Sequence, residues 1–231
     1  MKVRIRFSKS GALVYIGHLD VMRYFQKLFR RANIPVAYSE GFSPHQILSF
    51  TPPLPLGMES TGEYADVELT KPVVTKEALS ALALQSVPEI EILSFKELPP
   101  KCESAMASVA AARYSVGSNT GDDITKLAGF ISSFKESDEV RIVKKTKKNE
   151  KEVNIRPLVY ELCYVKESNE LEMLISSGST DNIKPEYVVE GLLSIADESI
   201  CYDELIFKRI DQYARIDGKL VSLDEIGCDI L

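Results

Sequence analysis

The sequence has no tryptophan, two histidines and four cysteines among its 231 residues. Cys102, Cys163, Cys201 and Cys228 are 61, 38 and 27 positions apart. The close cysteine pairs that build zinc or iron–sulfur sites are therefore missing. We expect reduced thiols in a cytoplasmic protein that has no metal site and no cofactor of its own.

Long apolar runs are missing as well. The opening MKVRIRFSKSG mixes charged and apolar residues, so it lacks the apolar core of a secretion signal. No segment approaches the ~20 apolar residues that span a bilayer. Phosphate-loop, serine-elbow and HExxH motifs are also absent from the sequence. We therefore expect a soluble protein without a membrane partner, and none of the enzyme classes that these motifs mark.

Apolar and charged residues are present in ordinary amounts, 45% and 27%, which is typical of a globular protein. At this length we expect two domains. The net charge is -6, but residues 1–58 carry a charge of +6 and the remainder -12. Acidic residues in that basic segment are Asp20 and Glu40, and its basic residues are Lys2, Arg4, Arg6, Lys9, Arg23, Lys27, Arg30 and Arg31.

Hydrophobic periodicity predicts alternating strands and helices along the first hundred residues. Residues 3–7 alternate between apolar and charged side chains, the pattern of a strand with one buried face. A helix is predicted over residues 19–32 and is ended by Asn33 and Pro35. The other predictions are extended segments at 36–38 and 47–50, a strand at 64–69, a helix from the N-cap Thr75 to Pro88, and a strand at 90–93.

The second half repeats this order after a Pro-Pro break and a run of small residues. Its predicted strands lie at 113–116, 140–143, 153–164, 171–175 and 207–216, with helices from Asp122 to about Phe134 and from Pro185. We therefore predict an α+β fold with two tandem ferredoxin-like (split βαβ) domains, each an antiparallel sheet covered by two helices. Residues 1–98 form the first domain, 99–112 a linker and 113–231 the second domain.

The segment from Gly17 to Tyr64 differs in kind from the rest, because it holds both histidines and a loop rich in glycine and proline at residues 39–57. Such loops within compact domains are typically functional or disordered. Tyr38, Phe42 and Phe50 are expected to anchor the loop and order it.

His18 stands at a predicted helix start, where the positive end of the helix dipole favours a neutral imidazole. Asp20 is placed to orient it or to cap the helix. A neutral histidine beside arginines suits deprotonation of a ribose hydroxyl in metal-free RNA cleavage. Equally, His18 can be a structural residue at a helix terminus, and His45 can serve to order its loop.

Arg23, Lys27, Arg30 and Arg31 form a basic stripe on the predicted helix. A stripe of this kind is often no more than a solvated face. Here Asp20 is the one acidic residue nearby in sequence, and tyrosines that can stack on bases are interleaved. We interpret it as an anion-binding face, with nucleic acid as the favoured anion.

Lysines at residues 144–151, KKTKKNEK, are predicted to form a hairpin tip in the second domain. Lysine-rich tips commonly keep sheet edges soluble, so the functional interpretation is the weaker one here.

One stretch resembles a known family. IGHLDVMRYFQKLFRRANIPVAYSEGFSPHQILSF, followed by PLPLGMES and Glu63-Tyr64, is similar to the signature of the bacterial radical SAM-linked proteins, a domain family of unknown function. The motifs HLD, RRA, SEGFSPH and PLPLG occur together and in order within residues 16–64. The resemblance implies a protein encoded beside, or fused behind, a radical SAM enzyme, often near ribosomal or RNA-processing genes. That partner would carry any radical chemistry, because this chain lacks a three-cysteine cluster site.

The resemblance transfers no catalytic residues, so the candidate site rests on the motifs and on charge. The catalytic candidates are His18 and His45. The binding candidates are Arg23, Lys27, Arg30, Arg31, Ser39, Glu40, Gly41, Phe42, Ser43, Pro44, His45 and Glu63.

Three uses of this site follow. The first is an RNA-binding or substrate-presenting partner of a radical SAM enzyme. The second is a metal-independent endoribonuclease with a histidine general base, because the double ferredoxin-like layout is similar to that of the repeat-associated endoribonucleases of bacterial CRISPR systems, an analogy of fold alone. The third is a protein scaffold whose basic face docks an acidic surface.

Overall fold

The computed structural model describes residues 1–119, 122–145, 150–178, 181–196 and 204–231. Over these residues the fold is α+β, with one nine-stranded sheet and a separate two-stranded hairpin. The helices are α1 His18–Arg31, α2 Thr75–Gln85, α3 Ala105–Ser108, α4 Asp122–Gly129, α5 Ile131–Glu136 and α6 Pro185–Ala196. The strands are β1 Lys2–Lys9, β2 Leu48–Phe50, β3 Glu59–Glu68, β4 Ile92–Glu97, β5 Val109–Ser118, β6 Arg141–Lys145, β7 Glu150–Asn154, β8 Val159–Val165, β9 Glu170–Ser176, β10 Leu205–Ile216 and β11 Lys219–Ser222.

The chain divides into two compact units, Met1–Val109 with Asp211–Leu231, and Ala110–Ile210. Residues 211–231 belong to the first of these compact units. The domain ranges 1–98 and 113–231 with a linker at 99–112 stay a prediction. No helix among the described residues has the length and apolar character needed to cross a membrane.

In the first unit, antiparallel strands lie in the order β4-β1-β3, and β2 also pairs with β3. Val3, Ile5 and Phe7 share one face of this sheet, because side chains alternate along a strand. They belong to a buried core that also contains α1 residues such as Phe25. The Phe25 ring centroid lies 4.6 Å from that of Phe7 and 5.4 Å from that of Phe50, distances at which aromatic pairs are favourable.

The opposite face of β1 is buried at Arg4 and Ser8 and partly buried at Arg6, so the prediction of a strand with one buried face was wrong for these residues. Arg4 is 2% exposed and donates from Nε and Nη2 to the two carboxylate oxygens of Asp66 at 2.8 and 3.0 Å. Next along this face, the Tyr64 hydroxyl donates to Asp211, which also accepts from the Ser222 hydroxyl at 2.7 Å. Charged and polar side chains are tolerated there because their partners are buried with them.

Several predicted boundaries in the first unit need correction. Thr75 does not cap α2; Val74 is the N-cap, and the Thr75 hydroxyl donates to the Phe95 carbonyl at 2.9 Å. The strand predicted at 90–93 begins at Ile92 and runs to Glu97. The segment 99–112, predicted as a linker, holds α3 and the start of β5.

In the second unit the strand order is β10-β5-β9-β8, with β6 and β7 paired in a hairpin of their own. The single helix predicted from Asp122 is two, α4 and α5, since Gly129 ends the first and glycine is a weak helix former. The strand predicted at 153–164 is interrupted by a 3-10 turn at Arg156–Leu158, where Pro157 removes a ladder donor. Residues 146–149 of the predicted lysine tip lie outside the described residues.

Candidate functional site

Helix α1 carries the basic stripe of the sequence on its outer side. Its apolar residues Val21, Phe25, Leu28 and Phe29 recur at i, i+4, i+7 and i+8 and are buried, which is why this segment forms an amphipathic helix against the sheet. The four basic side chains, Arg23, Lys27, Arg30 and Arg31, are all exposed. The predicted helix and its charged face are therefore confirmed as structure.

Local contacts hold three of these cations in place. Arg23 lies 3.2 Å from the Asp20 carboxylate, an exposed pair one turn apart. Arg30 Nε donates to the carbonyl of Gln26 at 3.2 Å, within the same helix. Arg31 donates to the Gln85 carbonyl at the end of α2, at 3.1 Å. Backbone carbonyls leave the arginine charges unneutralised, so the C-terminal half of α1 presents positive charge to solvent.

The 39–57 loop is ordered by its histidine rather than by all of its aromatics. Ser39 Oγ accepts the His45 backbone N–H at 3.1 Å and lies 2.9 Å from its ring Nδ1. Phe50 is 5% exposed and anchors the end of the loop, but Phe42 is 112% exposed and anchors nothing. Gly41 has a φ of +106°, a conformation that favours glycine, and it makes a turn within the loop.

Between α1 and this loop lies a cavity of about 190 Å³, which we call the α1–loop cleft. Arg30 contributes positive charge, Tyr38 an aromatic ring that is 51% exposed, and His45 an imidazole. Gln46, which is 6% exposed, also lines the cleft and was not among the candidate residues. The signal in the sequence that could have identified Gln46 is its position directly after the loop histidine His45. The lining residues are Gln26, Arg30, Tyr38, Pro44, His45 and Gln46.

A larger cavity of about 320 Å³ shares His45 and Gln46 with the cleft. It extends over the polar face of β1 and β3, and the carboxylate of Asp66 in its wall is held by Arg4. Its lining residues are Lys2, Ser39, His45, Gln46, Ile47, Leu48, Ser49, Asp66, Val67, Glu68 and Ser104. The loop therefore forms part of the wall of two open spaces.

His18 lies elsewhere, in a cavity of about 20 Å³ at the start of α1. Glu63 and Lys9 line the same cavity and are 6% and 3% exposed. A cavity of this size has room for about one water molecule. His18 and Glu63, two of the candidate residues, are therefore brought together, whereas His18 and His45 line different cavities.

The electrostatics around His18 favour a neutral ring. Desolvation by burial is the main cause that lowers its pKa; the charge of Glu63 raises the pKa and that of Lys9 lowers it further. Its ring also packs edge-on against Phe50, with centroids 5.6 Å apart. Lys9 itself donates to the carbonyls of Val14 and Ile16 at 3.4 and 3.0 Å. A neutral imidazole beside buried charges is able to accept a proton from a small molecule in the cavity.

Lys9 was not among the candidate residues, although the sequence holds a signal for it. Lys9 continues the odd-numbered face of Val3, Ile5 and Phe7, so its ammonium falls on the apolar side of the strand. Glu63 continues the face of Ala65 and Val67 in the same way. A charged residue in register with an apolar face marks a buried polar site.

Two of the cations of β1, Arg4 and Arg6, are held by partners within the fold. Arg4 is buried against Asp66, and Arg6 donates to the Thr61 carbonyl at 2.9 Å and lies 3.6 Å from Asp224. Lys2 is exposed and lines the larger cavity. The positive charge of residues 1–58 is thus divided between a buried set and an exposed set.

The remaining candidates, Glu40, Gly41, Phe42 and Ser43, are exposed at the tip of the loop. Within the described ranges, no three His, Cys, Asp or Glu side chains are grouped closely enough to hold a metal ion. Cys102, Cys163 and Cys228 are free thiols, and Cys201 lies outside the described residues.

Comparison with known proteins identifies the family of this chain. A search of the curated proteins finds none that matches this chain. The model of a bacterial family matches residues 2–185, a stretch that contains α1 and the 39–57 loop and most of the chain. The chain therefore belongs to the family described as "Uncharacterized protein conserved in bacteria (DUF2344)".

Proposed function

We propose that this protein binds RNA on its first unit and presents it to a radical SAM enzyme. The observation that carries the proposal is the α1–loop cleft, where Arg30, Tyr38 and His45 line one cavity of about 190 Å³. Arginine pairs with phosphate, tyrosine stacks on bases, and histidine donates hydrogen bonds to either. These are the three groups that a single-stranded RNA segment needs.

Charge beside the cleft supports the same use. Arg23, Lys27 and Arg31 are exposed on the helix that supplies Arg30. A row of cations along one helix tracks a phosphate backbone, because each neutralised phosphate releases bound counterions. The net charge of -6 does not prevent RNA binding, because RNA at α1 experiences the local positive potential of the helix.

The proposed fold of each unit is ferredoxin-like. If the strands of the first unit are numbered one to four as β1, β2, β3 and β4, their order in the sheet is 4-1-3-2. The same numbering of β5, β8, β9 and β10 gives 4-1-3-2 again for the second unit. That order is expected of a split βαβ arrangement, and β6 with β7 is then an insertion. The two proposed domains correspond to these two repeats.

The proposed enzyme partner rests on the motifs HLD, RRA, SEGFSPH and PLPLG, which resemble the radical SAM-linked signature. The partner supplies the iron–sulfur cluster, since the four cysteines of this chain are far apart in sequence. In this arrangement the protein contributes affinity for the substrate, and the enzyme contributes the chemistry.

RNA cleavage by His18 is the second candidate, and the His18–Glu63 cavity is the observation in its favour. A general base must come within hydrogen-bond reach of the ribose hydroxyl. The cavity of about 20 Å³ has room for about one water molecule and is too small for a nucleotide. Its size therefore favours binding over cleavage in this conformation of the protein.

A salt titration of RNA binding tests the proposal. The full chain is mixed with total tRNA and rRNA on filters between 50 and 300 mM KCl, and the logarithm of the binding constant is plotted against that of the salt concentration. Replacement of Arg23, Arg30 and Arg31 by alanine is expected to reduce the slope by about two to three, because each phosphate contact contributes about 0.7 to 0.9.

The matched control replaces Lys71, Lys76 and Lys101, which are exposed residues of the same unit that belong neither to α1 nor to the 39–57 loop. This control variant also removes three positive charges, and it should leave the slope unchanged. No affinity for RNA, or equal slopes for both triple variants, would overturn the proposal. Co-purification of the enzyme with this protein after ribonuclease treatment, without any RNA affinity, would favour the scaffold alternative.

A further inference from the structure

The 39–57 loop carries a fully exposed aromatic ring at residues 40–44, which we call the loop tip. The Phe42 side chain is 112% exposed, so its ring is surrounded by solvent. Gly41 beside it has a φ of +106°, and a methyl group at this glycine would meet no atom within 4 Å beyond its chain neighbours. The loop tip therefore stands clear of its own unit, and both faces of the Phe42 ring are open to a ligand.

Hydrogen bonds fix the base of the loop tip. The Ser39 N–H donates to the His45 carbonyl at 2.8 Å, and the His45 N–H donates to Ser39 Oγ at 3.1 Å. Just outside this pair, Tyr38 and Gln46 form an antiparallel bridge. A loop that is held at its base has less conformational freedom to lose on binding, so a ring displayed on it binds at a smaller entropic cost.

The loop tip lies close enough to the α1–loop cleft for one strand of RNA to contact both. Pro44 and His45 line the cleft. The Cα atom of Phe42 is within about 8 Å of that of Pro44, because consecutive Cα atoms are about 3.8 Å apart. The ring of Tyr38, in the wall of the cleft, is 51% exposed. One exposed aromatic ring therefore lies in the cleft and a second lies next to it.

Charge decides which part of an RNA strand reaches the loop tip. Glu40 is exposed there, and its carboxylate repels phosphate. The exposed cations of α1 attract phosphate. A single strand is therefore favoured with its phosphates toward α1 and its bases toward the loop tip. The ring of Phe42 is suited to this side of the strand, because every base has a face on which an aromatic ring can stack.

We infer that Phe42 stacks on an unpaired base of the bound RNA, beside the nucleotide whose phosphate is held by Arg30. This inference rests on the proposed function and deepens it, because it names the class of RNA as a segment with unpaired bases. In a duplex the bases are already paired and stacked on one another, so their faces are closed to the ring. Phosphate contacts along α1 supply the affinity that depends on salt, and the Phe42 ring adds affinity that does not.

Two RNA hexamers with equal numbers of phosphates separate stacking from phosphate contacts. Hexa-adenosine is compared with an abasic hexamer, which has a sugar–phosphate chain and no bases. In fluorescence anisotropy with the full chain, Phe42→Ala should raise the Kd of hexa-adenosine about tenfold and leave that of the abasic hexamer unchanged. The salt dependence should stay the same, since no phosphate contact is removed. The matched control is Leu84→Ala on α2, which removes a side chain that is 82% exposed and should change neither Kd.

The absence of tryptophan from the sequence provides a direct readout of stacking. Phe42→Trp places a single fluorescent indole at the loop tip, and this variant should bind hexa-adenosine at least as tightly as the unaltered protein does. Its fluorescence should be quenched by hexa-adenosine, because a base then lies on the indole, and should be unchanged by the abasic hexamer. Leu84→Trp is the control, and its fluorescence should respond to neither hexamer.

Hexa-adenosine that binds with salt dependence, but without quenching in Phe42→Trp or a change of Kd in Phe42→Ala, overturns the inference and leaves the proposed function intact. If Phe42→Ala then also loses the enzyme in co-purification, the ring belongs to a contact with the protein partner. Binding of total RNA without binding of hexa-adenosine likewise overturns the inference alone. No binding of any RNA overturns both. Far-UV circular dichroism checks that each variant is folded.

Discussion

Strand β1 buries two of its cations, whereas helix α1 exposes its cations to solvent. Arg4 and Lys9 on the strand are 2% and 3% exposed, and each donates to fixed oxygens of the protein. Arg23 and Arg30 on the helix are exposed. The charge of +6 over residues 1–58 therefore overstates the positive charge at the surface, because some of these cations are buried inside the fold.

The two histidines repeat this division. His18 lines the same cavity as the buried residues Lys9 and Glu63. This cavity has room for about one water molecule. His45 is exposed and lines two open cavities. Residues suited to proton transfer are thus enclosed, and those suited to holding a large anion are open, which is the basis for proposing binding rather than cleavage.

The largest effect is expected where the buried set is broken. Asp66→Ala removes the carboxylate that accepts from Arg4 and from the Ala105 N–H at 2.7 Å. Loss of one partner of a buried ion pair leaves an uncompensated charge, so the free energy of unfolding should fall by about 3 to 5 kcal/mol. Urea denaturation followed by circular dichroism measures it. A loss below about 1 kcal/mol would show that the Arg4 charge is not buried as described.

An effect of intermediate size concerns the pH dependence of stability at His18. Burial lowers its pKa in the folded protein below the ordinary 6.5, so the unfolded chain takes up the proton first as the pH falls. This contribution to stability is complete above pH 6.5 and is lost as the pH falls from there toward the folded pKa.

The measurement for His18 is the urea midpoint at pH 7.5 and at pH 5.5. His18→Gln should lose less stability over this interval than the unaltered protein does. His45→Gln, which changes an exposed side chain, should follow the unaltered protein. Identical pH dependence in all three would contradict the partial burial of His18.

The smallest effect is expected from the exposed pair on α1. Asp20 and Arg23 are 59% and 70% exposed, and such pairs contribute about 0 to 1 kcal/mol. Asp20→Ala should therefore change the free energy of unfolding by less than about 1 kcal/mol, even with the loss of a carboxylate from the first helical turn. It should also tighten RNA binding slightly, since Arg23 is freed. Weaker RNA binding in this variant would count against the basic face.

Local patterns in the sequence predicted α1 well, because its apolar spacing, basic face and the stop at Asn33 all lie within fifteen residues. They predicted β3 less well. The residues Glu59 to Glu63 are polar apart from Gly62 and read as loop, yet they continue the strand. Their pairing with β1 decides this, and β1 is more than fifty positions away.

The residues of the candidate site also differ in how well the sequence could identify them. The exposed residues of α1 and the loop could be named from charge and glycine content. The burial of Arg4 depends on Asp66, which register places opposite it across 62 positions. The Lys9–His18–Glu63 cavity likewise joins residues of β1, α1 and β3 that are far apart in sequence, with Glu63 opposite Phe7 across 56 positions.

We propose that RNA binds the first unit at the His45 end and not at the His18 cavity. The chain has two histidines, so their ring signals in a nitrogen–proton NMR spectrum can be assigned with His18→Gln and His45→Gln. On titration with RNA the His45 signal is predicted to shift in proportion to occupancy while the His18 signal stays in place. A shift of His18 alone, or of neither ring under conditions where filters show binding, would contradict the account.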